Sequence, residues 1–277
     1  MANTELRFDS PAFSRRIKGM LGVDFYRLFH TPLFYIFLVI AALIPAMVSA
    51  MTMMPDQNGT TMEPLYSNVW QIMAASEPLY VIRTIADYAN MNMVFIFGGI
   101  MVSIFIGNDY RSGYVKQLFT THAKKQDYML SKTITCAFAM ACMCVTYLIG
   151  AIAAGLLVGM SFDVNIGALI LAILSKIVMS LGWASLYTFL NVIFRRYFGI
   201  SIVSSFFFGT GLPVIAAGML LGNNLGSVLN IFLYGSSVYA CLSATPVTLA
   251  VCFAVSTAWA IIYNALGTGI LSKSDVY

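Results

Sequence analysis

Five stretches of this chain, 33–54, 91–107, 133–160, 198–221 and 247–270, contain no charged residue. A sixth, 164–194, is interrupted only by Lys176. About 20 mostly apolar residues suffice for a helix to cross roughly 30 Å of hydrocarbon. The pattern therefore predicts an all-α membrane protein with six transmembrane helices. Composition agrees: of 277 residues, 60% are hydrophobic and 9% charged, against about 45–50% and about 25% in a soluble domain. A mean hydropathy of +0.84 with 20 Phe and 17 Met exceeds what one water-soluble core of this size can hide. A secreted disulfide scaffold, a disordered chain and a cytosolic enzyme are excluded.

The basic residues orient the spans. Arg7, Arg15, Arg16, Lys18 and Arg27 precede the first span, and Arg111, Lys116, Lys124, Lys125 and Lys132 lie between the second and third. Arg195 and Arg196 separate the fourth and fifth, and Lys273 follows the sixth, so alternate loops hold 13 of the 15 Lys and Arg. The opposite loops hold Arg83 with Asp56, Glu63, Glu77, Asp87 and Asp163. Lysine and arginine concentrate on the cytoplasmic side, which puts both termini inside. The uncharged stretch 222–246 is broken by Asn223, Asn224, Gly226, Asn230, Gly235, Ser236 and Ser237. Irregular backbone is not tolerated against lipid, so it reads as two short outer or re-entrant helices. A seventh span there would move Lys273 outside. Residues 1–32 then form a cytoplasmic N-terminus with an interfacial helix, and 33–277 a single transmembrane domain. That domain includes an outer segment 55–90 and a cytoplasmic loop 108–132. The first 30 residues lack the apolar centre of a cleavable signal peptide.

Two segments carry more specific information. From Ala12 to His30, Phe13, Ile17, Met20, Leu21, Phe25, Leu28 and Phe29 recur at helical spacing among Arg15, Arg16, Lys18 and Arg27. Such a helix lies in the headgroup plane, either as a lipid anchor or as an elbow around a moving bundle. Thr31 is placed to cap, and Pro32 to start, the first span. The loop NDYRSGYVKQLFTTHAKKQDYMLSK at 108–132 is longer than the 2–8 residues typical between bundle helices. After Ser112-Gly113, Tyr114, Val115, Leu118 and Phe119 share an apolar helical face, with Arg111, Lys116 and Gln117 on the other. A short amphipathic helix of this kind suits a groove on a soluble partner; a solvated basic loop on lipid headgroups is the alternative.

Together, the amphipathic start, the HTPLFYI entry into the first span, the ND-Y-x-S-G-x-x-x-x-L loop, the Lys124-Lys125-x-x-Tyr128-x-x-x-Lys132 segment and the Lys273-x-Asp275 tail resemble the permease subunits of type-2 ATP-binding-cassette (ABC) exporters. The small six-helix permeases of bacteriocin, lantibiotic and peptide export or self-immunity systems are the particular likeness. The resemblance implies that residues 114–119 form the coupling helix on an ATPase subunit, with Gly113 opening it, Tyr114, Val115, Lys116, Leu118 and Phe119 composing it, and Lys132 closing the loop. The family usually has Glu where this chain has Asp109. It further implies an exporter of a bacterial plasma membrane that takes an amphipathic peptide or lipophilic antibiotic-like substrate. Because no G-x-x-x-x-G-K-[ST] occurs, nucleotide phosphates cannot be cradled here. The chain itself is expected to need no cofactor, with ATP and Mg on a separate ATPase. Two ATPase copies and a second copy of this permease, or a similar one, are the expected partners, alongside membrane lipids and no nucleic acid.

Lys176 has no intramembrane Asp or Glu to pair with. It either snorkels to the outer headgroups or faces a substrate path as a cation. Gly155-x-x-x-Gly159 has the spacing of close helix packing. Gly209, Gly211 and Pro213 interrupt the fifth span as static packing or as a hinge in the path. Cys136, Cys142, Cys144, Cys241 and Cys252 read as small buried hydrophobes, and no metal site or catalytic residue is expected. Arg83 and Asp87, four apart after Pro78, form a surface pair, and Asn58-Gly59-Thr60 fits a glycosylation sequon outside. His30 and His122 are the only histidines, and no hydrolase motif accompanies them. A proton-coupled carrier needs intramembrane acids that are missing. An ion-coupled carrier or a channel-like protein is the alternative to the exporter.

Overall fold

A backbone amide in hydrocarbon has no water to bond, so an apolar segment must close its hydrogen bonds within itself. A computed structural model of the protein describes residues 13–51, 53–55, 62–64, 69, 91–120, 123–162, 165–221, 229–242 and 244–273. The elements in chain order are α1 (Phe13–His30), α2 (Pro32–Met51), a short antiparallel pair β1 (Met53–Pro55) and β2 (Met62–Pro64), α3 (Met93–Arg111) and α4 (Tyr114–Thr120). There follow α5 (Lys125–Leu157), α6 (Ile166–Ile193), α7 (Phe198–Gly209), α8 (Leu212–Leu221), α9 (Leu233–Leu242) and α10 (Pro246–Lys273). Arg7, the Asn58 sequon, Pro78, the Arg83–Asp87 pair, His122, Asp163, residues 222–228 and Asp275 lie outside the described residues.

Five helices, α2, α3, α5, α6 and α10, are long and apolar enough to cross a membrane. The stretch 198–221 is instead split into α7 and α8, of 12 and 10 residues. At 1.5 Å per residue they measure about 18 Å and about 15 Å, each short of the bilayer core. The break falls at Thr210-Gly211, where Gly211 has φ +68°, a conformation that costs other residues a Cβ clash. Pro213 follows in the first turn of α8, where its missing N–H leaves no broken helical bond. The interruption thus falls between Gly209 and Pro213, with Gly211 making the turn.

The loop expected over 108–132 is mostly helix. Its first residues extend α3 to Arg111, its middle forms α4, and its last residues begin α5 at Lys125. Thr31 also departs from expectation. Its hydroxyl donates to the Arg27 carbonyl at 2.6 Å, closing the end of α1 where an N-cap of α2 was expected.

The bundle has an apolar core into which many hydroxyls are also drawn, and it leaves large apolar side chains outside, as suits lipid. Leu157, Ile166 and Val247 are exposed, while Ser103, Ser180, Ser185 and Thr188 are completely buried. Two long helix pairs run side by side, α6 with α10 and α2 with α5; α5 also packs on α6, and α3 sits between α6 and α7. Buried hydroxyls and amides tie α3, α6 and α7 together. Asn191 donates to Ser103 Oγ at 3.2 Å, Ser201 donates to Asn191 Oδ1 at 2.5 Å, and the Ser103 and Ser205 hydroxyls are 2.7 Å apart. Trp183 stacks between Phe95 and Tyr187, at 5.4 and 5.6 Å between centroids. Close approach of α2 and α5 falls at Gly150, against the Ala42 carbonyl. Gly159, expected to share that role with Gly155, lies beyond the end of α5.

A Cβ at Gly150 would overlap the Ala42 carbonyl oxygen, whereas one at Gly19 on α1 meets nothing within 4 Å. Gly150→Val is expected to destabilise the bundle by about 1–3 kcal/mol, the range of overpacked cores. Gly19→Ala should be neutral or slightly stabilising. Thermal unfolding of both variants in detergent checks the contrast.

Candidate functional site

The helix ends that carry the basic residues converge on a buried group of four charges. On α1, Asp24 and Leu28 lie one turn apart and are the residues that face inward. Asp109 is buried in the last turn of α3, and Lys132 is buried near the start of α5. The Lys132 ammonium lies 2.6 Å from Asp24 Oδ1 and 2.6 Å from Asp109 Oδ2. Ser131 donates to Asp24 Oδ2 at 2.6 Å, and Arg27 pairs with Asp109 Oδ1. Both carboxylates are flanked by cations, and two positive charges offset two negative ones; Asp109 Oδ2 meets Lys132 as an ion contact without hydrogen-bond geometry. That charge balance is what makes burial tolerable, because an isolated buried ion is strongly disfavoured.

Aromatic rings enclose the cluster. The Arg27 guanidinium lies 4.3 Å from the Tyr114 ring centre, and the Lys132 ammonium is 4.8 Å from the Phe105 ring centre. Cations over ring faces gain more when water is excluded. Burial works to lower the Arg27 pKa, but the charge and hydrogen bond of Asp109 outweigh it, so the guanidinium is held above its ordinary value. Burial pushes the Tyr114 phenol up, and Asp24 adds to the effect. A second tether joins Arg16 of α1 to the buried Asp127 of α5 at 2.7 Å. Lys125 donates to the Leu271 carbonyl at 2.6 Å, at the end of α10 where backbone carbonyls lack helical donors.

The short helix α4 is built onto this platform. Gly113 turns the chain with φ +74°, which is accessible to glycine at no steric cost. Val115 is buried with Tyr128 and Met129 of α5, Val192 of α6 and Leu271 of α10. Leu118 and Phe119 pack against the same group, together with Met20 of α1, and Phe119 meets the Tyr128 ring edge-on at 5.6 Å. The apolar face expected to dock on a soluble partner is thus occupied by the bundle itself. Lys116, Gln117 and Thr120 form the exposed face.

Lys176 lies elsewhere, near the middle of α6. It is completely buried and donates to Asn92 Oδ1 and, at 2.5 Å, to the Ser237 carbonyl. It neither snorkels nor opens onto solvent; it ties α6 to the start of α3 and to α9. Gly209 lets α7 approach α3: a Cβ there would sit 3.0 Å from Ile96 Cα and 2.8 Å from Tyr187 Oη. Gly211 lies against the Tyr234 ring, one turn of α9 from Ser237. So α9 touches both Lys176 and the Gly211 break, while Pro213 lies just beyond in α8. These residues are not brought together with residues 113–119. Among the described residues no group of His, Cys, Asp and Glu is placed to hold a metal. Cys136, Cys142, Cys144 and Cys252 are not joined in disulfides.

Sequence reasoning counted Arg16, Arg27 and Lys132 as surface charges and passed over Asp24, Asp127 and Asn92. Spacing held a signal: Met20, Asp24 and Leu28 are four apart on one face of α1.

Removing one member of a buried ion group leaves its partner uncompensated, at about 3–5 kcal/mol. Asp24→Asn and Lys132→Met are each expected to destabilise by that order. The double variant keeps the balanced Arg27–Asp109 pair and should recover most of the loss. Unfolding of the three variants in detergent, compared as a double-mutant cycle, checks the coupling.

A family model described as ABC-2 family transporter protein matches residues 21–212. That region takes in the ion cluster, α4 and the helices from α2 through α7, and it ends at the first residue of α8. No curated protein matches the chain. With well over half its length matched, and with apolar helices long enough to cross a membrane, the chain belongs to the ABC-2 family of transporter membrane proteins.

Proposed function

We propose that this ABC-2 permease subunit exports an amphipathic peptide or lipophilic antibiotic-like substrate across a bacterial plasma membrane. Family membership makes the chain the membrane component of an ABC transporter that works with an ABC ATPase subunit. In the proposed assembly two ATPase copies sit beneath it, carrying ATP and Mg, and a second copy of this permease or a similar one completes the path. Both termini face the cytoplasm, and the region around α1 and α4 is the ATPase-facing end.

The observation that carries the reading is the seating of α4. A helix of seven residues is too short to stand alone in water, yet this one is held on its inner face by Val115, Leu118 and Phe119 against α1, α5, α6 and α10. Its outer face carries the exposed Lys116, Gln117 and Thr120, where the ATPase is proposed to bear. A push from the ATPase on that face is passed to several helices together, and the Asp24–Lys132–Asp109–Arg27 group keeps α1, α3 and α5 in step.

Apolar side chains left exposed on α2, among them Tyr35, Val39, Leu43 and Met47, and on α7, Ile200, Val203 and Phe207, favour a lipophilic cargo. Flexible and aromatic apolar surfaces of this kind adapt to varied ligands. By contrast α3 buries most of its apolar side chains inside the bundle, so the path-lining role falls on α2 and α7. Lys176 serves this cycle as a tether of the far end and not as a contact for cargo, and the Gly209–Gly211 break permits α7 and α8 to flex.

The test is a charge change on the outer face alone. Lys116→Glu combined with Gln117→Glu is expected to lower co-purification of the ATPase roughly tenfold, the scale of a central interface contact. Substrate-stimulated ATP hydrolysis should fall with it, while the thermal stability of the permease stays unchanged. Wild-type levels of both readouts would remove α4 as the contact.

A further inference from the structure

A groove of about 590 Å³ runs between α5, α6 and α10 on the outside of the bundle. Its volume is that of a small-molecule site, roughly 300–1,000 Å³. At its mouth are Gln126 near the start of α5 and Thr268 near the end of α10; deeper lie Thr133, Asn264, Leu181 and Thr257. From Thr268 to Thr257 the wall rises by about 16 Å, roughly half of a bilayer core of about 30 Å. The groove is therefore as tall as one leaflet, and it opens at the end of the bundle that carries the basic residues.

Its chemistry changes with depth. Lys125, adjoining Gln126 and bonded to the Leu271 carbonyl, bridges α5 and α10 at the mouth. Lys124 and Lys273 are exposed at the same helix ends. Among the described residues no carboxylate lines the groove, and the nearby Asp127 is buried in its pair with Arg16. Farther in, two of the polar side chains are already bonded within the protein: Thr133 donates to Asn264 Oδ1 at 3.0 Å, and Asn264 donates to the Ala260 carbonyl at 2.8 Å. With Leu130, Leu181, Ala260 and Ile261 beside them, the deeper wall offers an occupant mainly apolar contact, while the mouth offers positive charge and amide donors.

We infer that this groove is a binding site for a phospholipid with an anionic headgroup, drawn from the leaflet at the basic end of the bundle. The headgroup phosphate lies among Lys124, Lys125, Gln126 and Lys273, and one acyl chain fills the space between Leu181, Ala260 and Ile261. Basic pockets between membrane helices recognise anionic headgroups in this way. The inference is independent of the cargo and of the direction of transport, because it concerns only the chain and its lipid.

Native mass spectrometry of the detergent-purified chain, titrated with phosphatidylglycerol or with phosphatidylcholine of the same acyl chains, tests it. The first phosphatidylglycerol is expected to bind about tenfold more tightly than the first phosphatidylcholine. Ala265 is an exposed residue of the groove wall, so Ala265→Trp fills the groove from outside without touching the core. It should weaken both lipids at this site. Lys124→Glu with Lys273→Glu should abolish the preference and leave phosphatidylcholine binding as it was. Equal affinity of the two lipids for the wild-type chain would overturn the proposal, as would unaltered phosphatidylglycerol binding by Ala265→Trp. A change in the number of protein subunits caused by Ala265→Trp would also overturn it, by assigning the face to a second copy. A thermal melt of each variant in the same detergent confirms that folded proteins are being compared.

Discussion

The placement of Lys132 governs the basic end of the bundle. It is completely buried, and a lysine there keeps its charge only if fixed anions stand within hydrogen-bond distance. Asp24 and Asp109 meet that need from two different helices, α1 and α3. Three segments far apart in the chain are thereby locked at one point, and Arg27 balances the remaining charge. Such a group adds little net stability, because desolvation of the ions cancels most of their attraction. Its effect is on geometry: the four charges hold α1, α3 and α5 together at one point.

The seat of α4 depends on that arrangement. Tyr114 lies over Arg27, and Val115 reaches Tyr128, one helical turn before Lys132. Shifting α5 by a residue would rotate Lys132 out of the cluster and Tyr128 out of contact with Val115 and Phe119 together. The ion group and the apolar seat of the short helix are thus two layers of the same joint. Lys176 repeats the device in simpler form near the middle of α6. Its partners are neutral oxygens of Asn92 and Ser237, which fix α3 and α9 without a carboxylate.

Much of this was legible in the residues. Uncharged runs located α2, α3, α5, α6 and α10 to within a few residues at most ends, because hydrocarbon permits few alternatives to helix. The chief misplacement was the start of α5, which begins at Lys125 and not near Thr133. Charged residues were taken as marks of loop, whereas here the second turn of a helix carries Lys132 inward. The split of 198–221 was visible in Gly209, Gly211 and Pro213, and the residue that makes the turn there is the glycine at positive φ. Least legible were the tertiary partners. Residue types announce that Asp24 and Lys132 are charged, but nothing local states that helices 108 residues apart bring them together.

A rule follows for reading chains of this class. In a soluble protein a lone charge on an apolar helical stripe usually belongs to a solvated edge. In a membrane bundle the same pattern is costly on the lipid side, so it points inward to a partner. Met20-Asp24-Leu28 on α1 and Tyr128-Lys132-Cys136 on α5 each carry one charge between apolar residues at four-residue spacing. Opposite signs on two such stripes make the helices complementary, and here Asp24 and Lys132 join α1 to α5. The basic helix α1 is thereby part of the bundle's framework, with lipid contact left to exposed residues such as Phe13, Val23 and Tyr26.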